Sequence, residues 1–221
     1  MADIWPPSIP GVEYYYADEQ TAIIYGDSEL IELPAVDLLI TDPPYGMSFQ
    51  SSWTIETKRK KRIHGDDAFP LWIFDKIKPR IASFIFCRWD NLAEIPKPRS
   101  FVIWDKGSHS MGDLQHEFGR QYEGVAFYPG PDHKFLKRPV DIIRTNKIAP
   151  ANLMHPAEKP VAAIAPLIIS HPGQVILDPF MGVGSVLMAA KRAGRRSIGV
   201  EIDEQYCHLA AERLSQGVLN F

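Results

Sequence analysis

Cysteine is scarce in this chain: of 221 residues only Cys87 and Cys207 are cysteine, far apart and in no metal or redox spacing. That excludes a disulfide scaffold and a zinc ribbon, and it points to a reduced, cytoplasmic setting. Both thiols sit in apolar stretches and read as small core residues. The seven histidines form no His-Glu-x-x-His or similar cluster, so no metal is expected. No apolar run is long enough to cross a bilayer, and the acidic, proline-rich start lacks a signal-peptide layout, so no membrane association is expected. Excess positive charge is missing too, with 24 Lys and Arg against 27 Asp and Glu. No Ser-His or Cys-His signature, internal repeat or low-complexity segment is visible. What remains is 45% hydrophobic residues in a length suited to one compact domain over residues 1–221.

Within that frame one stretch stands out. The apolar run 36–41 ends in Asp42-Pro43-Pro44-Tyr45. Two prolines fix φ and remove backbone donors, leaving their carbonyls free to accept. A carboxylate beside a carbonyl can hold both hydrogens of an exocyclic amino group, while a tyrosine face stacks on the attached ring. A second run, Val175-Ile176-Leu177, leads into Asp178-Pro179-Phe180-Met181-Gly182-Val183-Gly184-Ser185. Gly182 and Gly184 permit a tight turn close to a ligand, and the following helix offers its N-terminal amides. Glu201 ends the next strand about twenty residues later, where an acid can take both hydroxyls of a ribose; its competing reading is a cap for the last helix. The third glycine of a dinucleotide fingerprint is missing, so a nucleoside without phosphates fits better than a pyrophosphate.

Strands are expected near 22–25, 36–41, 81–87, 100–104, 122–128, 139–144, 173–178 and 196–201, and helices near 28–33, 67–78, 157–170, 184–193 and 203–215. The alternation implies an α/β fold with a doubly wound, mostly parallel sheet, and ligands then sit at the carboxyl ends of its strands. Residues 1–20 read as a packed N-terminal extension. Pro166 inside the 157–170 helix is expected to kink it.

Asp-Pro-Pro-Tyr together with Asp-Pro-Phe-x-Gly-x-Gly-Ser resembles the S-adenosylmethionine-dependent amino-methylating DNA methyltransferases, and the catalytic motif preceding the cofactor motif resembles their permuted β class. His155-Pro156-Ala157-Glu158-Lys159-Pro160, Tyr25-Gly26-Asp27, Trp104-Asp105-Lys106-Gly107 with Met111-Gly112, and Gly199-Val200-Glu201-Ile202-Asp203 are similar to further family segments. The resemblance spans residues 22–215 and implies a Rossmann-like methyltransferase fold. It implies that Asp42, Pro43, Pro44 and Tyr45 hold a flipped-out base, and that Asp178, Phe180, Gly182, Gly184 and Ser185 surround the methionine part of S-adenosylmethionine. Glu201 would take the ribose, Asp27 the adenine, and His155 and Lys159 would lie near the methionine carboxylate. Competing readings stand beside several of these: a helix cap for Asp27, apolar packing for Phe180, and a helix start for His155 and Lys159.

The expected activity is site-specific DNA methylation of the restriction-modification kind. Asp at position 42 leans the comparison toward adenine N6, with cytosine N4, an RNA amino group, or a catalytically inactive DNA-binding module as alternatives. For DNA contact the candidates are the basic run Lys58-Arg59-Lys60-Lys61-Arg62 in the 47–66 connection, and Lys134, Lys137, Arg138, Arg144 and Lys147 in the 129–156 connection. A charge run is commonly just a solvated loop. Neither connection is large enough for a long-site recognition region, so specificity is short, relaxed or shared across a homodimer.

Overall fold

A computed structural model of the chain describes residues 4–46, 67–109, 115–116, 118–148 and 158–216. Their strands are β1 (Tyr14–Ala17), β2 (Thr21–Tyr25), β3 (Leu38–Thr41), β4 (Ala82–Cys87), β5 (Ser100–Asp105), β6 (Tyr122–Pro129), β7 (Ile142–Arg144), β8 (Val175–Asp178) and β9 (Arg196–Glu201). They form one sheet in the order β1-β2-β9-β8-β3-β4-β6-β5-β7. The run β2-β9-β8-β3-β4 is parallel throughout, and β5 and β7 are parallel to each other, while β1–β2, β4–β6 and β5–β6 pair antiparallel. This is the mostly parallel α/β sheet expected from the alternation.

Each inner strand is apolar on both faces because both are covered. One face packs Ile23, Leu38, Ile40, Phe84 and Phe86 against helices α2 (Val161–Ile169), α3 (Ser185–Arg192) and α4 (Glu204–Ser215). The other packs Ala22, Ile24, Leu39, Ile85 and Val200 against the short helix α1 (Trp72–Lys76) and the N-terminal segment around Ile9. Strand β3 leads toward β4 on one side, while β8 leads through α3 to β9 on the other. The β8–β3 seam is therefore the topological switch point, where an open α/β sheet leaves a crevice for ligands.

Several expectations are corrected. Residues 28–33 form a turn in place of a helix, since Asp27 Oδ1 accepts the Glu29 N–H at 2.9 Å and the Asp27 carbonyl takes Leu30 and Ile31. The 67–78 helix shrinks to α1: Ile77 is extended (φ −111°, ψ 114°), just ahead of Lys78, which proline disfavours from the helical region. The N-terminal extension contains an edge strand, β1, whose tyrosines alternate between partly buried and exposed positions beside β2. Pro166 lies within α2, where its ring leaves one amide bond unmade.

Candidate active site

At the carboxyl edge of the parallel strands, four elements bring their terminal residues together. Asp178 ends β8 and Asp42 follows β3, and Thr41 Oγ1 bridges the seam by donating to Asp178 Oδ1 at 2.8 Å. Asp178 is buried, and burial pushes its carboxyl up to about 7, against the hydrogen bonds from Thr41 and the Phe180 N–H. Across the seam, the Asp42 side chain remains 20% exposed and accepts two donors: the Tyr45 hydroxyl on Oδ1 and the Lys159 ammonium on Oδ2. Burial raises the Asp42 carboxyl above the ordinary aspartate value; Lys159 opposes that shift and Glu123 adds to it. Tyr45 is held as the neutral phenol, its pKa raised by burial and then by Asp42 and Glu123. Its carbonyl accepts Asn91 Nδ2 at 3.1 Å, from the 3-10 turn Asp90–Ala93 that follows β4.

Sequence reasoning passed over Glu123 and the partners of Lys159. Strand β6 runs antiparallel to β4, so its first residues arrive at the same edge at which β3, β4 and β5 end. There Lys159 Nζ stands 3.1 Å from Glu123 Oε2, and Lys106 Nζ, just past β5, stands 3.2 Å from Glu123 Oε1. The ammonium of Lys159 also lies 5.4 Å from the Phe86 ring centroid and 6.0 Å from that of Tyr45. Burial disfavours its charge, yet Asp42 and Glu123 hold its pKa above the ordinary lysine value. Burial likewise opposes ionisation of Glu123, but Lys159 and Lys106 hold its carboxyl below the usual range. The one signal in the sequence was an acid at the head of the apolar strand Gly124-Val125-Ala126-Phe127.

The other half of the edge is the glycine turn. Gly182 and Gly184 both take positive φ, 52° and 77°. A Cβ at Gly182 would meet nothing within 4 Å, so open space lies over that turn, whereas one at Gly184 would come within 3.2 Å of Ala210 Cβ. Glu201 is fixed beneath the turn: Oε2 accepts the Gly182 N–H at 2.9 Å and Oε1 the Asp203 N–H at 2.8 Å. Asp203, not Glu201, caps α4, its side chain accepting from Gln205. Ser185 Oγ is buried without a hydrogen-bond partner among the described residues, a donor available to a ligand. Phe180 packs against Trp72, with centroids 5.8 Å apart. Asp27 lies past the end of β2, which pairs with β9 up to Tyr25 opposite Glu201. His155 and the basic run 58–62 lie outside the described residues. Lys134, Lys137, Arg138, Arg144 and Lys147 are exposed.

An N6/N4 DNA methylase family model matches residues 139–212. The putative methylase YubD of Escherichia coli (strain K12) is 31% identical over 202 residues, covering 82% of this chain and 82% of its own length. The DNA adenine methyltransferase YhdJ of the same strain is 26% identical, covering 90% of this chain and 84% of its own. The crystal structure of the M1.HpyAVI–SAM complex superposes with a TM-score of 0.64 at 22% identity, over 87% of this chain and 99% of that one.

Proposed function

Because this chain belongs to the N6/N4 amino-methylating DNA methylase family, we propose that it transfers a methyl group from S-adenosylmethionine to the N6 amino group of a flipped-out adenine in DNA. The observation that carries this reading is the seam. Asp42, a partly buried acceptor beside two prolines, stands one hydrogen-bonded residue away from Asp178 and the glycine turn. The residues of that turn fit the cofactor: Ser185 Oγ is an uncommitted buried donor, Gly182 leaves room, and the Glu201 carboxylate is already fixed by two backbone amides. Bound there, S-adenosylmethionine supplies an electrophilic methyl on its sulfonium sulfur.

The amino nitrogen of a base is a poor nucleophile because its lone pair is delocalised into the ring. Asp42 and the Pro43 carbonyl, each accepting one amino hydrogen, favour a more tetrahedral nitrogen whose lone pair is freed. Methyl transfer to that nitrogen would leave the S–C electrons on the cofactor's sulfur, and the Asp42 carboxylate would be placed to take the proton the nitrogen gives up. Tyr45 holds the extruded base, which could not be reached inside a duplex. Positioning and oriented dipoles account for the rate without a covalent intermediate. Adenine is favoured by Asp at position 42 and by the name of the relative YhdJ.

The test is digestion and mass spectrometry of DNA incubated with the protein and labelled S-adenosylmethionine. N6-methyladenine is expected. N4-methylcytosine would keep the mechanism and change the base, label in RNA alone would change the substrate class, and no label would leave a binding module. In the same assay Asp42→Ala keeps cofactor affinity and loses transfer by roughly 10²- to 10³-fold. Full activity in that variant would remove Asp42 from the chemistry.

A further inference from the structure

Resting on that reading, both oxygens of the proposed base acceptor raise a question. Asp42 gives Oδ1 to Tyr45 and Oδ2 to Lys159, so an incoming amino group meets an acceptor whose two oxygens are both already engaged. Lys159 can release Asp42 only if its ammonium, on a side chain 9% exposed, finds another negative charge. A buried cation without a counter-ion is strongly disfavoured. Glu123 Oε2 at 3.1 Å is that charge, and Lys106, on a side chain 10% exposed, balances Glu123 from the far side. Four charges of alternating sign thus stand in a row: Asp42, Lys159, Glu123, Lys106.

We propose that Glu123 is a positioning residue for methyl transfer: it holds the Lys159 ammonium when the base amino group takes the place of that ammonium on Asp42. Lys106 keeps Glu123 ionised and aimed. The chain of charges draws on four elements, since Asp42 follows β3, Lys159 precedes α2, Glu123 lies on β6 and Lys106 follows β5; the antiparallel direction of β6 delivers its first residues to the edge where β3 and β5 end. With a neutral side chain at position 123, Lys159 has Asp42 as its one remaining anion among the described residues, and the acceptor stays clamped. The other titratable groups around Asp42 are Tyr45 from the same turn, Asp178 on β8 and Cys87 at the end of β4; Lys147 stands beyond Lys106.

Glu123→Gln, nearly isosteric, is the variant to make, with Glu123→Asp beside it. We expect the Gln variant to lose some Tm, because Lys106 is left without Glu123 as its counter-ion, but to keep its affinity for S-adenosylmethionine while kcat on DNA falls by about 10²-fold. The Asp variant restores the charge at shorter reach and recovers part of the loss. A second readout separates positioning from packing. Glu123 pushes the Asp42 carboxyl upward, so its removal moves the acidic limb of the kcat/KM profile to lower pH. The same movement is to be read directly on the Asp42 carboxyl by 13C NMR, assigned with Asp42→Asn. Wild-type kcat in the Gln variant, or an Asp42 titration that does not move, overturns the proposal. A wild-type protein that methylates no nucleic acid would defeat the functional reading instead, and the NMR titration would still decide whether Glu123 governs Asp42.

Discussion

Asp178 receives two hydrogen bonds, from Thr41 Oγ1 and from the Phe180 N–H, both on the same oxygen. With 3% exposure and Asp42 and Glu201 nearby, its carboxyl titrates near 7 instead of at the ordinary aspartate value. The sign is set by proton binding: between those two values the folded state holds a proton that the unfolded chain has lost. Its contribution is therefore fully present in acid and is lost as pH rises through about 7. Asp178→Asn keeps the acceptor oxygen and removes the titration, so the variant should gain Tm over the wild type between pH 5 and 8, as thermal melts would show. The gain is bounded at roughly 1.4 kcal/mol for each pH unit that separates the folded and unfolded titrations. An equal Tm difference at both ends of that range would mean that Asp178 is ionised in the folded protein.

At the scale of elements, β9 and the glycine turn are held together by a missing side chain. A Cβ at Gly199 would lie 2.4 Å from Met181 Sδ and 2.9 Å from Leu187 Cδ2, so strand, turn and α3 meet only because that atom is absent. Gly199→Ala should cost about 1–3 kcal/mol in denaturant unfolding. It should also weaken S-adenosylmethionine binding in calorimetry by displacing the 181–184 turn; unchanged affinity would confine its effect to packing. The elements legible in the sequence were those buried along nearly all their length, since Leu38–Thr41, Ala82–Cys87 and Val175–Asp178 carry apolar residues on both faces. Helix extents near proline and the turn after Asp27 were misread, because one hydrogen-bonding side chain outweighs propensity over so few residues. The glycines and acids of the edge were legible as motifs. The partners of Lys159 were not: 36 residues separate it from Glu123 and 117 from Asp42, and only the direction of β6 brings them together.

Over the whole molecule the charge balance is −3, so any grip on a phosphate backbone must be local. Lys134, Lys137 and Arg138 project from the connection between β6 and β7 into solvent, and among the described residues no helix is long and apolar enough to cross a membrane. Neutralising residues 58–62 should weaken DNA binding and flatten its salt dependence, by about 0.9 in the log–log slope for each phosphate no longer neutralised. An unchanged slope would make that run a solvated loop and shift attention to Lys134, Lys137 and Arg138. The order of the strands carries a last consequence, for the nascent chain. Thr41 and Asp178 are 137 residues apart, and the free edges of β3 and β2 wait for β8 and β9, which are synthesised near the end. At ribosomal speeds of about 5–20 residues per second that wait lasts on the order of ten seconds. Through it the chain displays unpaired apolar strands to its neighbours, an aggregation hazard that precedes any chemistry.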